Sequence, residues 1–346
     1  MHDAASRMLL SMLQQPVANT LWLADENTAE AIATISPSID LTIISNRLDI
    51  AESASRASHH ALFSDFDFSA IAPGSLQRII YRVSKEKAVV HHVLNSAWPL
   101  LTNDGELIIT GLKSDGIKTY IEKCKTKYGS GSAEKYGNAY IGRFCKSRNS
   151  VSLEQLDDQE YTCLRLIHTP TLDFFSKPGL FGWDKIDQGS AFLLEHLPDC
   201  LSQLPVAPQS MLDLGCGYGF LTLMTRHLPL TRRTAIDNNA AALQAIKKNA
   251  EHYCLDVEIF ASDAGSSLSG AYDLILCNPP FHQGFSVDGC LTEKFLQNCR
   301  NLLSPHGLAL FVVNAFIGLE KKAASKFSSV TQIANNQSFK LVMLRP

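Results

Sequence analysis

No two of the nine cysteines stand in a C-x-x-C pair, and the closest two are Cys290 and Cys299. Such spacing supports neither a disulfide framework nor a zinc site, so the sequence predicts reduced thiols and no metal centre. Long apolar runs are missing too. The longest near the C-terminus is 308–313, far short of the roughly 18 residues that span a bilayer. Residues 1–15 carry one short apolar patch, 8–13, with no small-residue cleavage site behind it, which predicts no secretory leader and a cytoplasmic location. An excess of one charge is also lacking. The balance of 31 basic and 34 acidic residues is −3, which by itself gives no reason to expect a nucleic-acid partner. With 45% of residues apolar and only 19% charged, disorder is excluded. At roughly 150 residues per domain the length suggests two domains.

The C-terminal half carries the clearer pattern. A strand at 210–214 runs into Gly215-Cys216-Gly217-Tyr218-Gly219 and a helix reaching about His227. Strands at 233–237, 257–260, 272–277, 307–313 and 339–344 alternate with helices at 239–252, near 291–302 and near 319–327. Such alternation indicates a doubly wound α/β sheet. The N-terminal half follows a similar course, with strands at 20–23, 41–44, 76–83 and 106–110 and a helix near 28–34. Leu101-Thr-Asn-Asp-Gly105-Glu-Leu-Ile-Ile matches Leu303-Ser-Pro-His-Gly307-Leu-Ala-Leu-Phe at an offset of 202, and Thr42-Ile-Ile-Ser45-Asn46 matches Thr234-Ala-Ile-Asp237-Asn238 at 192. Two matches in the same order predict one Rossmann-like domain used twice, over 1–165 and 166–346. The first copy is degenerate. It has Ala24-Asp25-Glu26-Asn27 in place of the glycine loop and Ser45 in place of Asp237, and side chains there would block a close-lying cofactor.

The glycine loop follows a strand, opens a helix and is followed by an acid, Asp237, 18 residues after Gly219. That context marks a nucleoside-cofactor site. The dinucleotide fingerprint needs a glycine or alanine where Phe220 stands, and no P-loop lysine is present. Asp213-Leu-Gly-Cys-Gly-Tyr-Gly resembles motif I of the class I S-adenosylmethionine-dependent methyltransferases. The resemblance implies that Gly215, Gly217 and Gly219 pass beneath the cofactor. It further implies that Asp213 orients the methionine ammonium, Asp237 holds the ribose hydroxyls and Asp263 accepts from the adenine amine.

After the strand at 272–277 comes Asn278-Pro279-Pro280-Phe281-His282. An exocyclic amine on a base is a poor nucleophile, because its lone pair is delocalised into the ring. Two acceptors on its N–H groups, the Asn278 side-chain carbonyl and the Pro279 main-chain carbonyl, draw the nitrogen toward tetrahedral geometry, and Phe281 offers a stacking face. Rate then comes from alignment and preorganised polarity, on a base already unstacked. The motif occurs in methyltransferases acting on adenine N6, guanine N2, cytosine N4 and glutamine amides. With His282 appended it resembles the ribosomal RNA guanine-N2 branch, though His282 itself either contacts substrate or packs the loop.

The whole chain resembles the bacterial 16S ribosomal RNA guanine-N2 methyltransferases of the RsmC family, most strongly from about Leu172 onward. The resemblance implies S-adenosylmethionine as cofactor, a guanine of small-subunit rRNA as acceptor, and tandem domains with only the second active. It also makes Gln188, Gly189 and Ser190 candidate cofactor contacts, since the segment Pro178 to Ser190 resembles one that closes over the cofactor in that group. Asn314-Ala-Phe-Ile-Gly-Leu and Gln283 depart from the family pattern, which leaves open a guanine of 23S rRNA. A non-catalytic RNA-binding assembly factor is the alternative of a different class.

The net charge conceals an uneven distribution. From 113 to 148, nine basic residues face three acidic ones, a local +6 that leaves −9 for the remainder. Tyr120, Tyr128, Tyr136 and Tyr140 interleave them. Lysines neutralise phosphates and aromatics stack on unpaired bases, so Lys118, Lys123, Lys125, Lys127, Arg143, Lys146 and Arg148 are the candidate RNA contacts. Nothing in the two-domain pattern demands an oligomer, and a monomer is expected.

Overall fold

The computed structural model describes residues 3–129, 131–147, 154–280, 282–283, 286–287 and 289–346, with main chain alone at 282, 283, 286 and 287. The chain divides into two compact units, Met1–Cys163 and Leu164–Pro346; the boundary read from the sequence lies two positions further on.

The first unit contains α1 (Ala4–Leu13), β1 (Thr20–Ala24), α2 (Ala29–Ile32), β2 (Leu41–Ser45), α3 (Leu48–Arg56) and β3 (His60–Phe63). There follow β4 (Leu76–Arg82), α4 (Lys87–Leu100), β5 (Leu101–Leu112), α5 (Ile117–Tyr128), β6 (Ser132–Tyr136) and β7 (Ala139–Cys145). Its seven strands lie in the order β3-β2-β1-β4-β5-β7-β6.

The second unit opens with a hairpin, β8 (Arg165–Ile167) and β9 (Phe174–Ser176), then α6 (Gln188–Leu201), β10 (Ser210–Leu214), α7 (Phe220–Met224), β11 (Arg232–Asp237), α8 (Ala240–His252), β12 (Glu258–Ala261) and β13 (Tyr272–Cys277). A short pair, β14 (His282–Gln283) and β15 (Ser286–Val287), precedes α9 (Gly289–Leu302), β16 (Leu303–Asn314), α10 (Leu319–Ala323), β17 (Ser329–Asn335) and β18 (Phe339–Arg345). The main sheet runs β12-β11-β10-β13-β16-β18-β17, with β18 antiparallel to both neighbours. The order matches that of the first unit strand for strand. One fold is used twice.

Strand alternation sorts the second core onto two faces. Leu212, Leu214, Ile275, Cys277 and Phe311 pack on one side, and Met211, Leu274, Leu276 and Leu310 on the other with α6 and α8. A sheet covered on both sides needs near-continuous apolar strands, and Ser210–Leu214 is buried at every position. The glycines that flagged the repeat, Gly105 and Gly307, sit where the sheet register slips in each unit. A Cβ at Gly307 would stand 2.9 Å from the carbonyl oxygens of Tyr272 and Asp273, and one at Gly105 3.1 Å from that of Leu76. Each glycine is held by the same close approach of a neighbouring backbone.

Candidate functional site

In the second unit the chain leaves β10 toward β11 on one side and returns to pair β13 on the other, so strand order reverses between β10 and β13. Ligands of open α/β sheets bind at the carboxyl ends of strands beside such a reversal. Asp213 pairs in register with Leu276, which sets Gly215 opposite Asn278 at that edge. Gly215, Gly217 and Gly219 take φ of +82°, +56° and +94°, the left-handed region that glycine enters at least cost. The loop is braced by its surroundings. Tyr218 stacks on Phe174 at 4.1 Å between ring centroids. Asn249 Nδ2 donates to the carbonyls of Tyr218 and Phe175 at 2.8 and 2.9 Å.

The three acids predicted from the sequence stand at the ends of β10, β11 and β12, each already engaged. Asp237 accepts from the Gly217 N–H at 2.8 Å and the Asn239 N–H at 2.8 Å, tying the glycine loop to the start of α8. Asp263 is ion-paired with Lys294 of α9. Asp213 is buried, and its Oδ2 accepts from Thr222 Oγ1 at 2.6 Å and the Thr222 N–H at 3.0 Å.

Burial lifts the Asp213 carboxyl to about 6. The Thr222 bonds pull the other way, and the charge of Asp237 adds to the rise. The folded protein therefore holds this proton more tightly than the unfolded chain, where the ordinary value is 3.8. Stability falls as pH rises from about 4 through 6, and above that window the ionised group costs on the order of 3 kcal/mol. Asp213→Asn, which can still accept from Thr222, should be more stable than the parent protein at pH 7.5 and equal to it near pH 4. Denaturant titrations at the two pH values check this, and equal stability at pH 7.5 would count against it.

Asn278 follows β13 and projects from the face of Leu276. Its Nδ2 donates to Asp187 Oδ2 at 2.6 Å and to Ser190 Oγ at 2.8 Å. Among the described residues its Oδ1 accepts no hydrogen bond. Pro279 is buried beside it and Pro280 is exposed, whereas Phe281 lies outside the described residues. Gln188, Gly189 and Ser190 form the first turn of α6, where Ser190 meets Asn278 and Gly189 is buried. Neither this contact nor the part played by Asp187 is legible in sequence, because neither residue is adjacent to Asn278 in the chain.

The registers identify what the first unit has in these places. Trp22 pairs with Ile80 as Asp213 pairs with Leu276, so Trp22 stands where Asp213 does. By the same alignment Ser45 replaces Asp237, and Arg82 replaces Asn278. Arg82 is buried and ion-paired with Asp3 at 2.8 Å and Asp115 at 3.2 Å. Asp65 keeps the place of Asp263 but accepts from Tyr161 Oη at 2.5 Å. Where the second unit carries Asp213, Asp237 and Asn278, the first therefore carries an indole, a hydroxyl and an ion-paired guanidinium.

The basic stretch of the first unit is smaller than the sequence suggested. It forms α5 and the hairpin β6–β7, and helical spacing turns Ile117, Tyr120, Ile121, Cys124, Lys127 and Tyr128 inward. Lys127 is buried, donating to the Glu154 carbonyl at 3.1 Å and to Gln155 Oε1 at 3.3 Å. Its expected place among the RNA contacts is thereby corrected. Lys146 likewise donates to the carbonyls of Trp98 and Leu101 at 2.9 and 2.7 Å. Tyr120 and Tyr128 belong to the core, and Arg143 faces Glu106 and Glu134, each at 3.9 Å. Arg148 lies outside the described residues. Lys118, 4.9 Å from the Tyr140 ring centroid, remains exposed, with Lys123 and Lys125 partly so. Lys118 and Lys123 line a groove of about 570 Å³ between α5 and residues 154–156.

The family model described as methyltransferase small domain matches residues 171–343, half of the chain and nearly all of its second unit. The chain belongs to the methyltransferase small domain family. Ribosomal RNA small subunit methyltransferase C of Marinomonas sp. is 27% identical over 266 residues, 75% of this chain and 74% of that one. The protein of the same name from Aeromonas hydrophila is 28% identical over 278 residues, 77% and 76% of the two chains. That of Hahella chejuensis reaches 32% over 173 residues, 49% and 48%. The solved structure of T. thermophilus 16S rRNA N2 G1207 methyltransferase (RsmC), in complex with AdoMet and guanosine, superposes with a TM-score of 0.84 at 21% identity, covering 99% of this chain and 92% of that one. This match extends the likeness in fold to both units.

The site of this methyltransferase small domain protein suits S-adenosylmethionine. A Cβ at Gly217 would meet no atom within 4 Å, which leaves the space beside the loop open to a ligand. The donor set suits a cofactor without phosphates, since each oxygen of Asp237 takes one backbone N–H and keeps a lone pair for a hydroxyl. No helix of the described residues is long and apolar enough to cross a membrane.

Proposed function

We propose that this protein transfers a methyl group from S-adenosylmethionine to the exocyclic N2 of a guanine in 16S rRNA of the small ribosomal subunit. The observation that carries this reading is the Asn278 amide, held by its nitrogen with its oxygen accepting no bond from the described residues, opposite the glycine loop. The names of the relatives supply the acceptor. S-adenosylmethionine contributes an electrophilic methyl on a sulfonium sulfur. Asp237 is assigned to the ribose hydroxyls, Asp263 to the adenine amine, Asp213 to the methionine end, and the loop from Gly215 to Gly219 to the floor beneath them. Asn278 Oδ1 and the Pro279 carbonyl accept the two N–H bonds of guanine N2 and direct its lone pair toward the methyl. As the new N–C bond forms the methyl–sulfur bond breaks and its electron pair stays on the sulfur; the nitrogen, now acidic, gives its extra proton to solvent water, so no strong base is required. Phe281 is assigned the stacking face.

The site is assembled within one chain, and we take a cytoplasmic monomer as the working unit. The test is to incubate unmodified small subunits and naked 16S rRNA with the protein and labelled cofactor, then map the product by nuclease digestion and mass spectrometry. Label in N2-methylguanosine from 16S rRNA supports the assignment. Label in 23S rRNA, in another base, or nowhere overturns it.

The inactive first unit is assigned RNA docking through Lys118, Lys123 and Lys125. Lys118→Glu/Lys123→Glu/Lys125→Glu should weaken RNA binding and flatten the slope of log K against log salt by about 2, with cofactor affinity unaltered. Filter binding over a salt series reads both, and an unchanged slope removes the assignment.

A further inference from the structure

We infer that Asp187, together with Ser190, is a positioning residue that decides which end of the Asn278 amide meets the substrate amine. The inference rests on the reading of Asn278 as an acceptor for that amine. A primary amide presents an oxygen and an NH2 of similar size, and rotation by half a turn about the last side-chain bond exchanges them. In one orientation guanine N2–H meets an acceptor; in the other it meets a second donor.

The surroundings of Asn278 remove the choice. A carboxylate can only accept, so Asp187 Oδ2 at 2.6 Å dictates that Nδ2 faces it. Ser190 Oγ at 2.8 Å takes the second Nδ2 hydrogen. Both donors are thus spent on the protein, and the oxygen is what remains.

Asp187 is itself fixed. It is the N-cap of α6, where the same Oδ2 accepts from the Ser190 N–H at 2.7 Å. Gly189 eases the fit, because a Cβ there would crowd Asp187 Oδ2 and the Phe339 ring at 3.1 Å each. A helix start, a capping acid and a residue without a side chain therefore set the polarity of one amide across 91 residues of sequence.

The test separates holding the amide from capping the helix. Serine is a good N-cap, but its oxygen sits one bond nearer the main chain, so Asp187→Ser keeps the cap and gives up the reach to Nδ2. We expect kcat for methyl transfer to fall about 10- to 100-fold, with Kd for S-adenosylmethionine and Tm close to those of the parent protein. In an Asn278→Ala background the same substitution should bring no further loss, because the group it acts through has gone.

Equal fractional losses in the two backgrounds, or a loss carried by cofactor Kd or by Tm, overturn the inference. Ser190→Ala supplies the same cycle should Asp187→Ser fail to fold, since the cap bond uses the main-chain nitrogen of Ser190. Full activity of Asn278→Ala alone would instead sink the reading of Asn278, an outcome visible before the cycle is closed.

Discussion

Asn278→Ala should lower kcat for methyl transfer by about 10²- to 10³-fold, the range found when one preorganised polar group at a reacting centre is deleted. Cofactor Kd should hardly move. Among the described residues the amide is joined to the protein through its nitrogen, on Asp187 and Ser190, so its loss removes an acceptor from the reacting edge without opening the glycine loop. The Pro279 carbonyl survives the substitution, which is why residual activity is expected. Single-turnover kinetics with labelled cofactor, set beside equilibrium dialysis, distinguish the two effects. Full activity would show that the amine is activated by another group, and a large rise in Kd would mean that Asn278 belongs to the cofactor floor.

Gly219→Ala is the second substitution with a large expected effect, and it acts on folding. The residue holds φ at +94°, and a Cβ there would lie 1.9 Å from Ile246 Cδ1 and 3.0 Å from its Cγ1. Left-handed backbone with a side chain costs about 1–2 kcal/mol, and overpacking adds about 1–3. A denaturant titration should therefore register a loss of about 2–5 kcal/mol in the second unit. Gly217→Ala is the control. Its φ is +56° with no atom within 4 Å of the added carbon, so only the backbone cost of about 1 kcal/mol applies. The new methyl projects into the space assigned to the cofactor, and Kd should rise tenfold or more by the same steric reasoning. Cofactor binding that survives Gly217→Ala undiminished would move the cofactor elsewhere.

The legible parts of this protein were those written in local pattern. Glycines that must adopt positive φ, acids at strand ends and the Asn-Pro-Pro stop are all set by neighbours in sequence, and the loop and strand ends lie where that pattern put them. The repeat was legible through Gly105 and Gly307, because close backbone approach favours glycine at both positions. Two edge strands were not. β3 alternates between exposed and half-buried positions instead of forming an apolar run, and β6 is exposed along its length, so neither announced itself, whereas the edge strand β12 was legible at 257–260. Lys127 was misjudged because composition was counted without turning the helix: at positions 117, 120, 124 and 127 the same face goes inward. Asp187 was missed for the opposite reason, since its partner lies 91 residues away and only the packing of α6 against the sheet joins them.

The residues that replace the site in the first unit have a consequence in thermodynamic linkage. Trp22 and Ser45 stand where the second unit has Asp213 and Asp237, so the first unit lacks the carboxylates assigned to S-adenosylmethionine. The second holds a carboxylate, Asp213, whose burial costs stability at neutral pH while the loop beside it waits for a ligand. Binding to the native form alone adds RT ln(1 + [L]/Kd), about 2.7 kcal/mol at a hundred times Kd. A ligand bound beside the glycine loop therefore adds stability to the same unit that a buried carboxylate weakens at neutral pH.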